Sequence, residues 1–490
     1  MPLIGSALSL PMPAGVGVST ASSFSPLDLS PALWLDASDE STLSGPGGGA
    51  VSTWSDKSGN GHDFSQATSS SQPTSGTRTM NSLNVLDFDG TTDFLQNNPS
   101  TIAASQPFTV WAVVERDTDI YGRVLTQISP YVLAAFLNVD RTYSGAGSLI
   151  SGTSGDAPTA TPLIARYTFD GASSSVHIDG VQTASGDMGT TDFTTGNVTR
   201  IGAYQSGIQN FDGAIAEMIF VEGTLTAQQI ADTETYLTEK WMPVPLRVGA
   251  TAWFDASDTD SITQSGGLVS QLNDLSGNGN NLTQGTSANQ PLTGSRTLNG
   301  LNVLDFDNDD ELVSSAAASV WNFLHQTEST IFVVMETDED ELAHQVIRTG
   351  ALSSSSVGFT VRTNDSGAPD DVLEHWIFRG VSSTYVVRNF SASGAFPDAS
   401  PAILRIESDP QNGTAASRSA LYVDSGAAIA NNADTSTFSS SDASSTLALG
   451  STSQGINGAI AEVIVVDGTL TADQISATET YLADKWGISI

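Results

Sequence analysis

The chain contains no cysteine, which removes disulfides, thiolate nucleophiles, Cys-ligated zinc and iron–sulfur clusters together. Positive charge is scarce. Seventeen Lys+Arg face 54 Asp+Glu, a net charge of −37 at pH 7, and the only lysines are Lys57, Lys240 and Lys485. A surface of that sign repels nucleic acid and anionic membranes. Charged residues of either sign make up just 14%, beside 39% hydrophobics; such a chain can build a core and is neither a charge-dominated disordered polymer nor a membrane protein. The first 27 residues carry no charged side chain. They therefore lack the basic segment of a secretory signal, and Pro2, Pro11 and Pro13 break any spanning helix.

What the chain does have is a duplication. Trp34-Leu-Asp-Ala-Ser-Asp39 returns as Trp253-Phe-Asp-Ala-Ser-Asp258, and Asp56-Lys-Ser-Gly-Asn-Gly61 as Asp274-Leu-Ser-Gly-Asn-Gly279. Gln72–Asp89 matches Gln290–Asp307 at 13 of 18 positions, and Ala214–Trp241 matches Ala459–Trp486 at 20 of 28. Two homologous domains are expected, 28–242 and 250–490, with a short Pro-containing linker at 243–249 and an apolar arm at 1–27. The second copy is longer by a net 27 residues, placed between Asp307 and Gly458. Insertions of this kind belong in surface loops, where they can alter binding.

Within each copy, runs such as Phe108–Glu115 and Thr330–Glu336 are rich in β-branched and aromatic residues and predict buried strands. Ser175–Val181 and Ala420–Gly426 predict strands entering hairpin turns. One helix per copy closes the domain. Thr226-Ala-Gln-Gln229 and Thr471-Ala-Asp-Gln474 fit a capping box, followed by apolar faces Ala227, Ile230, Leu237, Trp241 and Ala472, Ile475, Leu482, Trp486. The fold class is therefore all-β, a pair of sandwiches each ending in a short α-helix, preceded by an extended arm.

The Trp-Leu-Asp-Ala-Ser-Asp opening, the Asp-x-Ser-Gly-Asn-Gly turn, the Leu-Asp-Phe-Asp-Gly strand and the closing strand–helix unit from Ile215 to Trp241 resemble the laminin-G-like, or concanavalin A-like lectin/glucanase, jelly-roll superfamily. The resemblance covers nearly all of both copies and leaves residues 1–27 outside. It implies two tandem jelly rolls, and it implies lectins, adhesion modules or hydrolases equally. The layout is also similar to phage virion proteins that carry such domains on fibres, spikes or decorations.

Several constellations bear on chemistry. Oxygen ligands on loops suit calcium, which the resemblance also implies near the sandwich rim; the candidate ligands are Asp56, Asn60, Asp89 and Asp93, with Asp274, Asn278, Asp307 and Asp310 in the second copy. Stacking on sugar rings needs aromatic faces outside the shared framework, and Tyr121, Tyr143, Tyr204, Trp376 and Tyr385 are the candidates. Trp34, Trp54, Trp241, Trp253 and Trp486 lie in framework blocks and are expected in the core. The paired carboxylates of laminarinase-type relatives have a near match only at Glu336-Thr-Asp-Glu-Asp-Glu341 and at Glu115-Arg-Asp in the first copy. Both lack interleaved hydrophobic residues and read as solvated turns, so no catalysis is expected. Five scattered histidines form no metal-spaced pair.

The expectation from sequence is a non-enzymatic virion adhesion protein on the particle surface, assembled in the host cytoplasm. It would bind host-surface glycans through its sandwiches and other virion proteins through Leu3, Ile4, Leu8, Leu10 and Phe24 of the arm, in several copies. A decoration protein without glycan binding and a secreted glycan-binding protein or polysaccharide hydrolase are the alternatives.

Overall fold

The computed structural model describes residues 24–490 except 46–48, 129–130, 138–140, 153–156, 158, 205–207, 339–343, 351–352, 354, 365–371, 382–383 and 393–398. They fall into two compact units that divide between Pro243 and Val244. Each is mostly antiparallel sheet, a sandwich closed by a helix, as a jelly roll requires.

In the first unit one layer runs, in order, Val181–Gly186, Ser174–Ile178, Leu163–Phe169, Phe108–Arg116, Asp212–Glu222, Leu83–Asp89 and Thr74–Met80, with Leu33–Asp36 also paired to Asp212–Glu222. The facing layer runs from Leu149–Ser151 through Arg141–Ala146, Tyr131–Leu137, Gly122–Ile128, Thr199–Ile201 and Leu95–Asn97 to three short strands near the start of the chain. Trp54, Phe64, Phe88, Phe108, Phe193 and Phe220 fill the space between. The second unit repeats this plan. There the two layers join into one hydrogen-bonded path because Leu268 pairs with Leu292.

The long apolar runs are explained by burial on both faces. In Phe108–Arg116, Val110, Ala112 and Val114 point into the sandwich core while Trp111 and Val113 lie beneath the closing helix. That helix, Ala227–Trp241, has the expected capping box, as does Ala472–Trp486. Its buried face differs from the periodic reading. Ala227 and Ala472 are exposed, and Thr233 and Thr478 are buried instead. Each Thr hydroxyl donates to the carbonyl four residues back, at 2.7 and 2.8 Å, so the polar atom enters the core already bonded.

All five framework tryptophans are buried, and in each unit two of them bond one buried carboxylate that the sequence did not single out. Glu217, fully buried, accepts from Trp34 Nε1 at 2.7 Å, Trp241 Nε1 at 2.6 Å, Tyr236 OH at 2.9 Å and Lys240 Nζ at 2.8 Å. Glu462 repeats the node with Trp253, Trp486, Tyr481 and Lys485. Burial pushes both carboxyls up, and the opposed lysine charge limits the cost of burying them. The node ties the domain's first strand, its last strand and its helix together.

Glu115 and Glu336 lie near the ends of the expected strands, now Phe108–Arg116 and Ser329–Thr337, and residues 117–120 after the first form an exposed turn; the two glutamates themselves are not solvated but ion-paired. Asp87, Ala214 and Glu115 stand side by side across three strands, as do Asp305, Ala459 and Glu336. Over the small alanine lies an arginine. Arg78 reaches Asp87 at 3.3 Å, Glu115 at 2.6 Å and Asp117 at 2.6 Å; Arg296 reaches Asp305, Glu336 and Asp338 in the same way.

Two boundaries also move. Residues 24–29 belong to the first unit, with Ser25 capping the turn Pro26–Leu29 and Phe24 lying 6.0 Å from the Tyr236 ring. The segment read as a linker contains a short helix, Val244–Arg247, whose Val244 and Leu246 pack in the second unit.

Candidate functional site

Most of the length difference between the copies, 18 of the 27 residues, falls where a sheet face is built. From Val114 to its strand partner Leu163 the chain takes 49 positions, and from Met335 to its partner Ala402 it takes 67. The first copy spends them on strands Tyr131–Leu137, Arg141–Ala146 and Leu149–Ser151; the second makes the longer Val357–Asn364, Val372–Arg379 and Tyr385–Phe390. Residues 365–371, between the first two of these strands in sequence, lie outside the described residues.

Strand Val372–Arg379 alternates cleanly. Leu373 and Ile377 enter the core with His375 between them, so Glu374, Trp376 and Phe378 face the other way. Trp376 and Phe378 lie with ring centroids 5.7 Å apart and planes within 5°. From the next strand, Tyr385 stands edge-on to Trp376 at 5.1 Å and Phe390 at 5.3 Å. None of these four rings belongs to a core cluster. Phe378 is buried beneath the group, while Trp376, Tyr385 and Phe390 are partly exposed.

Two arginines flank the rings. The Arg362 guanidinium lies 5.8 Å from the Trp376 centroid and is paired with Glu374, which also accepts from Trp376 Nε1 at 2.9 Å. The Arg388 guanidinium lies 4.7 Å from the Tyr385 centroid and donates through Nε to Asp434 at 2.6 Å. The hydrogen bond from Arg388 to Asp434 raises the arginine pKa further. Asp434 arrives on a strap that runs along the outer edge of Tyr385–Phe390. Asn432 Oδ1 accepts from Arg388 N at 2.9 Å, and Asn431 bonds both the N–H and the carbonyl of Phe390. Side-chain amides here do the work of a neighbouring strand.

On the equivalent face of the first unit the row Thr126, Leu133, Gly145 corresponds to Arg348, Thr360, Trp376, so a glycine stands at the tryptophan's place. Two of the first unit's described aromatics meet at its rim. Tyr121 and Tyr204 lie 5.0 and 5.3 Å from the Arg123 guanidinium, whose Nε and Nη2 donate to Gln209 Oε1 at 2.9 and 2.7 Å. Ile120 and Ile208 are exposed beside them. The side chain of Tyr143 lies outside the described residues.

Thus four of the five sugar-contact candidates assemble into two groups, one per unit. Sequence reasoning missed Glu374, Phe378, Phe390 and the two arginines. The period-two pattern Glu374-x-Trp376-x-Phe378 was the available signal.

The residues singled out for calcium are engaged by their own turns. Asp56 accepts from the N–H groups of Trp34, Ser58 and His62 and from the Ser58 hydroxyl, and Asn60 presents its Nδ2 to the carbonyls of Pro31 and Ala32. Asp274 and Asn278 repeat this closure. Asp89 accepts from three amides and two threonine hydroxyls of its own turn, which more than offset burial and hold its carboxyl below the usual range. Asp93 accepts from Asp89 N, Asp310 accepts from Asp307 N, and Asp307 accepts from Asp309 N. Burial and the Asp89 charge push Asp93 up to about 7; burial and the Asp307 charge push Asp310 up to about 6. Among the described residues no three acidic or imidazole groups converge as a metal shell. Among them, too, no helix is long and apolar enough to cross a membrane. Of the anchoring residues, Phe24 is used within its own domain, and Leu3, Ile4, Leu8 and Leu10 lie outside the described residues.

Residues 131–231 match the Laminin G 3 family model, described as concanavalin A-like lectin/glucanases superfamily. The match begins at strand Tyr131–Leu137 and ends inside the first closing helix, taking in Tyr143 and Tyr204. No match was found among curated proteins. Solved structures with similar parts include domain 4 of AbnA, an extracellular arabinanase of Geobacillus stearothermophilus, in complex with arabinotriose: 16% identity over 41% of this chain and 97% of that one, TM-score 0.33. The CBM40 of Ruminococcus gnavus IT-sialidase bound to α2,3-sialyllactose is 13% identical over 36% and 95%, TM-score 0.28. The ligand-binding domain of botulinum neurotoxin serotype D with N-acetylneuraminic acid is 10% identical over 78% and 88%, TM-score 0.38. What those proteins bind is a property of theirs; the case for this chain is made from its own side chains.

Proposed function

We propose that the protein is a non-enzymatic glycan-binding protein whose principal site is the Trp376 platform of the second domain. One observation carries this reading: Trp376, Tyr385 and Phe390 gather, partly exposed, on the sheet face turned away from the core, flanked by arginine–carboxylate couples. Aromatic rings that stay partly exposed away from the core offer faces to a ligand, and a sugar's C–H face stacks well on such rings while its hydroxyls need polar neighbours. The rim pair Tyr121 and Tyr204 offers the first domain a second contact. Glu115 and Glu336 are each tied into an ion-pair cluster around Arg78 or Arg296, a structural use of the carboxylates.

Within this reading the protein serves as a surface component of a phage particle, attached through the apolar segment before Phe24. The support is the tandem arrangement, an uncharged Pro-punctuated N-terminal segment, and a cysteine-free acidic composition suited to assembly in a reducing cytoplasm and later exposure. Multiple copies would convert weak sugar contacts into avidity. Deletion of residues 1–23 should then eliminate association with the particle and leave both domains folded.

The binding claim is tested by presenting the protein multivalently to a glycan array. Trp376→Ala and Tyr385→Ala should each reduce the signal by about tenfold or more, in line with the loss of one stacking ring, without lowering the melting temperature of the first domain. Uniformly blank arrays for the intact protein would leave the decoration role standing in its place.

A further inference from the structure

Each of the two arginines over the platform is already matched by an acid. Arg362 is tied to Glu374, and Arg388 holds Asp434 through Nε at 2.6 Å and Nη2 at 3.3 Å. One strand further in, Arg348 is tied to Glu311 in the same manner. Among the described residues, each arginine in contact with these rings is thus neutralised by a carboxylate, inside a chain whose net charge is −37. A uronate, sulfate or sialate group arriving there would meet arginines already neutralised by Glu374 and Asp434, and would bring its charge close to those carboxylates against the field of the whole protein.

An uncharged sugar has the opposite requirement. Each hydroxyl is both donor and acceptor, and a vicinal pair is best met by a donor and an acceptor set side by side. An arginine–carboxylate couple is such an arrangement, with charge-assisted strength on both halves. Arg388 and Asp434 form the more accessible couple, with side chains 41% and 19% exposed. The Trp376 N–H is committed to Glu374, so the indole contributes its face and leaves hydroxyl recognition to the couples.

We infer that the platform takes an uncharged polysaccharide, stacked on Trp376 and Tyr385 and read through its vicinal hydroxyls by the Arg388–Asp434 couple, and that it rejects anionic glycans. This rests on the glycan-binding reading above. It also makes Asp434 a specificity residue: without it, Arg388 is a free cation beside an aromatic ring, which is what an anionic sugar needs.

The test is affinity electrophoresis of the full chain in gels holding neutral polymers (a β-glucan, a galactomannan, an arabinan) or anionic ones (polygalacturonate, chondroitin sulfate, polysialic acid). The intact protein should be retarded by at least one neutral polymer, equally at about 50 mM and about 500 mM salt, because no net charge is neutralised on binding. Asp434→Asn should weaken that retardation by about tenfold, as loss of a charged hydrogen-bond partner does, and should gain retardation by an anionic polymer that disappears at high salt. Retardation of the intact protein by an anionic polymer, lost at high salt, would overturn the inference while leaving glycan binding in place. Failure of every polymer to retard it would overturn the glycan-binding reading itself. The salt comparison on the intact protein needs no variant, so a misfolded Asp434→Asn chain leaves the test intact.

Discussion

Asp93 shows how a single residue can act against the fold that holds it. Burial and the neighbouring Asp89 charge raise its carboxyl to about 7, so the folded state favours the protonated form while the unfolded chain ionises near 4. The sign follows from linkage. The unfolded state releases this proton first as pH rises, and stability declines from about pH 4 through about pH 7. Asp93→Asn keeps an oxygen to accept from Asp89 N and removes the ionisation. The variant should melt at a higher temperature than the parent at pH 8, and the difference should shrink by pH 5, in scanning calorimetry of the first domain's transition. An equal advantage at both pH values would show that Asp93 does not titrate in this range. The sequence disclosed that Asp89 and Asp93 lie close together, since four positions separate them. It did not disclose which would be the stabilised carboxylate, because that depends on five donors from Thr91, Thr92 and Asp93 converging on Asp89 alone.

At the scale of elements, the parts read most directly were those whose code is local. The capping boxes at Thr226 and Thr471 and the hydrophobic strand Phe108–Arg116 formed where the residues indicated, since a cap or a run is complete within a few positions. The node that fastens each helix was not legible, because Glu217 gathers partners from Trp34 to Trp241. Glu217→Gln should destabilise the first domain by about 3 kcal/mol or more, as removal of one partner of a buried ion pair does, with the second domain's transition unmoved; Glu462→Gln should do the reverse. Denaturant unfolding that resolves two transitions checks both, and a loss below about 1 kcal/mol would mean that Asp36, 2.8 Å from Lys240 Nζ, suffices as the lysine's partner. The same distinction between local and distant explains the aromatics. Trp376 and Phe378 share a strand and could be placed on one face by counting in twos, whereas the meeting of Tyr121 with Tyr204 around Arg123 is fixed only by the register of strands far apart in sequence.

Across the whole molecule, the duplicated domains carry unlike titrating groups. The second domain buries His325, His344 and His375. Desolvation lowers His325 and takes His375 down to about 3, with the Ser419 hydroxyl at 2.7 Å and the Phe359 ring as its close neighbours. A histidine held neutral by burial contributes stability that is present above its ordinary pKa and is lost as pH falls toward the folded value. In the first domain Asp93 and Asp179 are both raised to about 7, chiefly by burial, and they act in the opposite direction to His177, which burial and the Arg166 charge lower to about 4. In the second domain Asp310, raised to about 6, and Asp258, Asp307, Asp424 and Asp467, also raised by burial, offset part of the effect of its two lowered histidines. Acidification from pH 8 to pH 5 should therefore lower the second domain's melting temperature relative to the first. His375→Asn should reduce the relative shift, and two transitions moving in parallel would count against it. Repetition in the sequence predicts a shared architecture, and it is the residues that differ between the copies that separate their chemistry.

The Asn431–Asn432 strap has a consequence for association as well as for recognition. A sheet that ends in an unpaired strand is a template on which another chain can continue the ladder. In the second domain that template is already occupied, because amide side chains fill the hydrogen-bonding positions of Arg388 and Phe390 that an incoming strand would need. Copies crowded together would thus find no free ladder at those edges on which to fuse.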